Sequence, residues 1–322
     1  MRFALMTEPQ QGLSYDEQLA IVQTAEEAGF EAFFRSDHYV SFPGESGQTT
    51  TDAWAVLAGL ARDTSRISLG TLVSPVTFRL PGNFVKLVTT VDHMSGGRIE
   101  VGLGAGWNEE EHLAYGLPFP PLGERMEMLE EQLTILHGLW TEPDGWSFEG
   151  RHWQVEGAQL SPRPLERPGR RHPNIIVGGE GKPRSLRLAA RFADEYNVVS
   201  ASPQKAQAIY ERLREACRAI ERDPDEVVRS AMTGVLVAAS EGDLRDRVRE
   251  QLELFGDGDD ADAWLAERRS RWVMGTPEQA AERVQALEAV GVQRVMLQDF
   301  LPRDLEMVKL LGAELVATAA GA

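Results

Sequence analysis

Ser36-Asp37-His38 sets an acid and an imidazole directly behind the apolar run from Phe30 to Phe34, itself preceded by Gly29. That run reads as a buried strand following the glycine that closes a helix, and α/β enzymes keep their chemistry at the C-terminal ends of such strands. Histidine titrates near neutrality, so His38 is a candidate to give or take a proton, with Asp37 beside it. A loop-capping Asp37 and a structural His38 would account for the same residues. The chemical reading gains weight because other strand ends are also unusual.

Behind the apolar run 99–103 comes Gly102-Leu103-Gly104-Ala105-Gly106-Trp107-Asn108, then Glu109, Glu110 and Glu111. Glycines at alternate positions let backbone approach a ligand closely. Asn108 reads as an N-cap, with Glu111 three residues later as in a capping box. The spacing is G-x-G-x-G, and no ribose-binding acid follows on a second strand, which argues against a nicotinamide dinucleotide fold. A tight turn needing glycine for packing alone is the structural alternative. A second cluster, Gly178-Gly179-Glu180-Gly181-Lys182-Pro183-Arg184, opens a helix with Pro in its first turn. Its free N–H groups and local basic residues form a candidate phosphate cradle, the alternative being an ordinary solvated loop. Gly70-Thr71-Leu72-Val73-Ser74-Pro75 is, by composition, a strand stopped by Pro.

Other chemistries find little support. The histidines at 38, 93, 112, 137, 152 and 172 form no H-x-H or H-E-x-x-H pattern, so no metal site is expected. There is no G-x-S-x-G elbow, and no spacing points to paired glycosidase carboxylates. The acids 109–111 are explained by the dipole of the helix they open.

The elements that must position these residues alternate. Strands are expected at 3–6, 32–35, 67–73, 99–103, 175–177, 195–199, 227–237 and 294–297. Helices are expected at 15–28, 53–61, 83–94, 123–139, 185–191, 204–220 and 278–290. Strands alternating with helices imply parallel βαβ units, and about eight of them suit a closed (β/α)8 TIM barrel. Gly29 and Gly291 stop helices before strands, and Thr276-Pro277-Glu278-Gln279 is a capping box. Two stretches break the rhythm: 146–157, which suggests an excursion hairpin, and 243–271 with the acidic turn 256–260. The chain is therefore expected to be a single domain over 1–322, with insertions near 145–157 and 240–272.

Composition bounds the partners. The 322 residues suit one barrel of ~250 residues plus insertions. A formal charge of −17 argues against nucleic acid and against anionic membrane surfaces. No apolar run reaches the ~20 residues of a membrane helix. Residues 1–7 read as a strand without a signal-peptide pattern, and the lone Cys217 offers no disulfide framework. A cytoplasmic location is expected.

Arg35-Ser36-Asp37-His38, Leu69-Gly70-Thr71 with Ser74-Pro75, 102–112, and 176–181 with the following 189–195 together resemble the luciferase-like monooxygenase superfamily. The resemblance lies with its branch using the deazaflavin coenzyme F420, and runs from residue 1 to about 316. It implies a bacterial-luciferase-like (β/α)8 barrel with the coenzyme at the strand C-termini. Asp37 and His38 would face the reacting carbon, with His38 as proton donor or acceptor. Thr71, Leu72 and Val73 would lie behind the ring, with a non-prolyl cis peptide placed at Thr71–Leu72, within one residue. Gly104, Ala105, Gly106 and Asn108 would line the ring and side chain. Val177, Gly178, Gly179, Glu180 and Gly181 would bind the phosphate. The sugar-phosphate dehydrogenase branch has a catalytic Glu where this chain has Trp107, which cannot transfer protons, so a more apolar substrate is expected. Tyr39, Phe42, Trp107 and Trp153 are candidate walls, with the loops 39–50 and 145–157. The expected function is hydride transfer between F420 and a small organic substrate, in a homodimer as the family often forms. The rivals are an FMN-dependent monooxygenase served by a separate reductase, a non-catalytic coenzyme-binding protein, and a metal-dependent barrel hydrolase or isomerase.

Overall fold

A computed structural model describes residues 1–256, 258 and 260–320. In chain order the elements are β1 (Arg2–Thr7), α1 (Tyr15–Glu27), β2 (Ala32–Arg35), α2 (Ala53–Asp63), β3 (Ser68–Pro75), α3 (Pro81–Ser95), β4 (Ile99–Gly104), α4 (Glu109–Ala114) and α5 (Leu122–Thr141). There follow β5 (Trp146–Glu149), β6 (Gln154–Ala158), β7 (Asn174–Gly179), α6 (Pro183–Phe192), β8 (Glu195–Val198), α7 (Pro203–Arg218), β9 (Val228–Val237), α8 (Glu241–Phe255), α9 (Ala261–Arg268), β10 (Val273–Gly275), α10 (Pro277–Glu288), β11 (Arg294–Asp299) and α11 (Leu305–Leu311). The parallel order β1-β2-β3-β4-β7-β8-β9-β11 closes on itself through β11 and β1. All eight strands expected from the sequence are barrel strands, and the expected helices flank them.

Side chains alternate between the two faces of each strand, and the packing records that period. Phe3, Leu5, Phe33, Leu69, Val101, Ile175, Val177 and Leu297 belong to the large core between barrel and helices. Ala4, Met6, Ala32, Phe34, Leu72, Ile176 and Met296 form a separate cluster inside the barrel. Below that cluster, at the N-terminal end, Arg294 donates to Glu100 at 2.8 and 2.9 Å and to Glu195 at 3.0 Å, and Asn174 donates to both acids. Burial opposes the charges, but the attraction wins: Arg294 is held above its ordinary pKa and Glu100 below its own.

β3 bulges. Its register with β4 shifts between Thr71 and Ser74, and the Leu72–Val73 peptide is cis, one bond beyond the expected position. Two glycines of β4 admit the bulge: a Cβ at Gly102 would lie 2.1 Å from the Thr71 carbonyl oxygen, and one at Gly104 2.6 Å from Val73 Cγ2.

The punctuation reads as expected. Gly29 and Gly291 have φ of +88° and +90° behind α1 and α10, a region that costs glycine nothing. Gln279 accepts from the Thr276 backbone N–H at 3.1 Å, completing the reciprocal cap of α10. β5 and β6 form the antiparallel excursion hairpin. α8 and α9 fill the second irregular stretch and lead to β10, a short strand missed in the sequence that pairs with the end of β9. Asp257 and Asp259 of the acidic turn lie outside the described residues. Among the described residues no helix is long and apolar enough to cross a membrane.

Candidate active site

A cavity of about 700 Å³ opens at the C-terminal ends of the barrel strands. Every barrel strand or its following turn contributes: Met6 from β1 and Glu8 behind it, Ser36 and His38 behind β2, Leu72 and Val73 from β3, and Gly104 from β4 with Ala105 to Trp107 behind it. Gly178 to Glu180 come from β7, Asn197 from β8, Met232 from β9, and Gln298 with Phe300 from β11.

His38 is the side chain best placed to move a proton. Its Nδ1–H donates to Glu111 at 2.9 Å, and the other Glu111 oxygen accepts from the Tyr39 backbone N–H at 2.9 Å. A carboxylate on Nδ1 fixes the tautomer and leaves Nε2 as the free ring nitrogen of a residue lining the cavity. Phe42 packs edge-on against the imidazole at 4.6 Å and Trp107 at 5.8 Å, restricting its rotation. Glu111 is buried on α4 and does not serve as the cap acid expected of it; Asn108 caps α4 by accepting from the Glu110 N–H. The next residue, His112, donates from Nδ1 to the Asn108 carbonyl and accepts from the Thr77 hydroxyl through Nε2. It is a satisfied structural histidine.

Asp37 goes elsewhere. It is buried in a two-pronged ion pair with Arg79, at 2.5 and 3.2 Å, and accepts from the Ser74 hydroxyl at 2.7 Å. Burial works against the Arg79 charge, but Asp37 outweighs it and holds the guanidinium above its ordinary pKa. Alternation explains the placement. Phe34, Ser36 and His38 point inward, whereas Arg35 bonds to Gln18 and Thr51 outside the barrel and Asp37 follows it. Asp37, expected to face the reacting carbon, is instead held by Arg79 and Ser74 and does not line the cavity.

The same phase removes two further expected residues from the cavity wall. Thr71 is buried with its hydroxyl donating to the Gly102 carbonyl, and Val177 packs in the outer core. Asn108 caps its helix, and the Gly181 N–H donates to the Tyr196 hydroxyl at 3.0 Å, so neither lines the cavity. His38, Leu72, Val73, Gly104, Ala105, Gly106, Gly178, Gly179 and Glu180 do line it. Phe42 and Trp107 are walls; Tyr39 instead stacks on Phe78, and Trp153 belongs to the hairpin region, which does not reach the cavity. Arg184 donates to the Gly123 carbonyl, away from the glycine turn.

A polar wall completes the cavity. Ser36 donates to Gln10 at 2.6 Å, Gln10 donates to Glu8 at 2.8 Å, and Gln298 donates to the other Glu8 oxygen at 2.5 Å. Its signal was the inward phase: Met6 then Glu8, Met296 then Gln298. At the floor, Asn197 donates to Ser230, while its Oδ1 is buried without a partner.

These features define a (β/α)8 barrel protein with a small-molecule chamber on its upper rim. The chain belongs to the luciferase-like monooxygenase family, whose description matches residues 1–294. It is 28% identical over 320 residues to the FMNH2-dependent dimethylsulfone monooxygenase of Pseudomonas putida, covering 88% of this chain and 82% of that protein. It is 34% identical over 177 residues to the F420-dependent glucose-6-phosphate dehydrogenase of Microbacterium testaceum, covering 55% of this chain and 50% of that one. In fold it resembles the crystal structure of monooxygenase RslO1 from Streptomyces bottropensis, with a TM-score of 0.81 at 22% identity over 99% of this chain and 100% of that chain. The family thus includes oxidoreductases that use F420 and monooxygenases that use FMN.

Proposed function

We propose that this chain is a coenzyme F420-dependent oxidoreductase acting on a small organic substrate, with His38 as its proton carrier. The observation that carries the reading is the His38–Glu111 pair: an imidazole with one nitrogen locked by a buried carboxylate, on the wall of the chamber. The residues present suit a planar coenzyme with a phosphate tail. Leu72, Val73, Gly104 and Ala105 offer an apolar face. A Cβ at Gly178 would meet nothing closer than 3.7 Å, so packing does not require glycine there and bare backbone faces the chamber. Beyond it, α6 starts at Pro183 with Lys182 in the cap position and no side-chain cap, leaving first-turn N–H groups for an anion.

When bound, the deazaflavin would supply two-electron hydride chemistry, because carbon replaces the flavin N5. The chain's own residues handle the proton. In the oxidative direction His38 Nε2 accepts it from the substrate, and Glu111 steadies the imidazolium through Nδ1. In the reductive direction the imidazolium returns it. Phe42 and Trp107 pack edge-on against the imidazole and fix its plane.

Titration of the purified protein with F420, followed by fluorescence, tests the assignment; no saturable binding removes it. His38→Ala should leave that binding largely intact and slow turnover by ~10²-fold or more. FMN is the second reading, favoured by the dimethylsulfone monooxygenase aligning over 82% of its length, against half for the F420 relative. A yellow protein with a flavin spectrum would decide for it.

A further inference from the structure

The chamber is electrically one-sided. Among the described residues lining it there is no Lys or Arg, whereas three carboxylates, Glu8, Glu111 and Glu180, are present. Glu111 is committed to His38 and the Tyr39 N–H. Glu180 stands at the β7 rim beside Lys182 and the uncapped start of α6. Glu8 stands on the opposite side, because β1 lies four strands from β7 in either direction around the barrel. The end that can take a phosphate and the end that carries Glu8 are therefore separate.

Glu8 is fixed in place. Gln10 donates to one of its oxygens and Gln298 to the other, and each carboxylate oxygen keeps a second lone-pair direction. Its neighbours around the ring are Gln298 on β11 and, continuing the register of β1 with β2, Ser36, which Gln10 links to it and which precedes His38 by two residues. A group held by Glu8 thus lies on the same side of the chamber as the imidazole. The surrounding walls, Phe42, Met232 and Phe300, are apolar or aromatic. Such a wall offers charge-assisted acceptance to a donor and repels an anion that has no cation to pair with.

We infer that the substrate carries no negative charge, and that its hydroxyl or amine donor is held by Glu8 on the side of the chamber that carries His38, with its apolar body against Phe42, Met232 and Phe300. This rests on the reading of the chamber as a redox site and adds the substrate class. Phosphate esters and carboxylates are excluded from this end by repulsion as well as by poor fit.

The test is a calorimetric titration of the purified full-length protein, with and without F420, using three probes of one shape: cyclohexanol, cyclohexylamine and cyclohexanecarboxylate. The expected result is that the carboxylate binds at least ~10-fold more weakly than both others. Glu8→Gln, nearly isosteric, should narrow that gap by ~3-fold or more, and Gln298→Glu, which adds a second acid to the wall, should widen it. The wild-type ranking decides even where a variant does not fold. A carboxylate that binds as tightly as the alcohol overturns the inference, as does a gap indifferent to both variants, or no binding by any probe. A protein that ignores F420 yet shows the ranking loses its coenzyme assignment and keeps this one; F420 binding without the ranking does the reverse.

Discussion

Replacing Asp37 by Asn separates two roles that its position beside His38 confuses. The Asp37 side chain is fully buried and its partner Arg79 is 12% exposed. Trp54 donates from its indole to the Ser74 hydroxyl at 2.9 Å, and that hydroxyl donates to Asp37, so the carboxylate ties α2 and β3 to the turn after β2. Breaking a buried ion pair by removing one partner costs about 3–5 kcal/mol. Here Arg79 keeps Asp52 and the Tyr39 hydroxyl, which lowers the cost to about 2–4 kcal/mol. For a chain of this size that is a fall in Tm of about 4–8 °C. Turnover per folded molecule should stay within about tenfold of wild type, because the carboxylate does not reach the cavity. Thermal denaturation at pH 7 and steady-state kinetics on the same samples read both quantities. Pairing Asp37→Asn with Arg79→Gln should cost less than the sum of the two alone by about 1–3 kcal/mol, since both remove one interaction. An unchanged Tm together with turnover reduced by two orders of magnitude would refute the anchoring role and restore Asp37 to the chemistry.

Two further perturbations follow from the same geometry. Glu111→Gln keeps an oxygen for the Tyr39 N–H but loses the charge behind His38; kcat should fall by about tenfold or more with coenzyme affinity unchanged, and an unaltered kcat would mean that Glu111 only supports the fold. Asp299 is fully buried, accepts from the Leu301 N–H at 2.8 Å and leaves its other oxygen unpartnered, so burial, helped by nearby Asp304, pushes its pKa up to about 7. The folded protein then binds the extra proton, so stability is greatest below the unfolded pKa near 4 and is lost as pH rises through about 7, by on the order of 4 kcal/mol. Asp299→Asn should therefore raise Tm at pH 8 and leave it nearly unchanged at pH 4; equal Tm values at pH 8 would show that the ionised acid finds a partner.

The barrel was legible because its strands are short apolar runs separated by amphipathic stretches with glycine stops, and each such feature is local. Which side chains of a strand face the chamber was not legible, for a physical reason. A parallel barrel strand is buried on both faces, so Phe33 and Phe34 look alike in sequence although one packs under helices and the other inside the barrel. Asp37, Thr71 and Val177 were assigned to the site, yet all three lie on the outward phase. His38, Leu72, Gly104 and Gly178 lie on the inward one. Glu111 was hidden differently. Three acids opening a helix have a sufficient local explanation in the helix dipole, and only the folded chain brings one of them across 73 positions to His38. The cis peptide falls within one residue of its expected place, and the bulge around it fits against Gly102 and Gly104 of the neighbouring strand, which residues 70–75 alone do not reveal.

The inward phase also explains why the site can exist only at one end. Glu100, Asn174, Glu195 and Arg294 fill the lowest inward positions as a hydrogen-bonded network. Removing any charge of this network leaves its partner buried and unpaired. The next layer is apolar, with Met296, Ile176 and Phe34. Above it the inward residues become small or polar: Gly104, Gly178, Ser36, Glu8 and Gln298. Glycine at two of these five positions makes depth, and acceptor groups at others make polarity. With the base sealed, a ligand enters through the rim, past the turns after β2, β4 and β11. Those turns carry Phe42, Trp107 and Phe300, so the residues that admit a substrate lie on loops while those that would hold the coenzyme lie on the barrel itself. Because Phe42 and Trp107 also pack on His38, a substitution in either turn alters the entrance and the setting of the imidazole together, whereas Leu72, Gly104 and Gly178 on the strands are left in place.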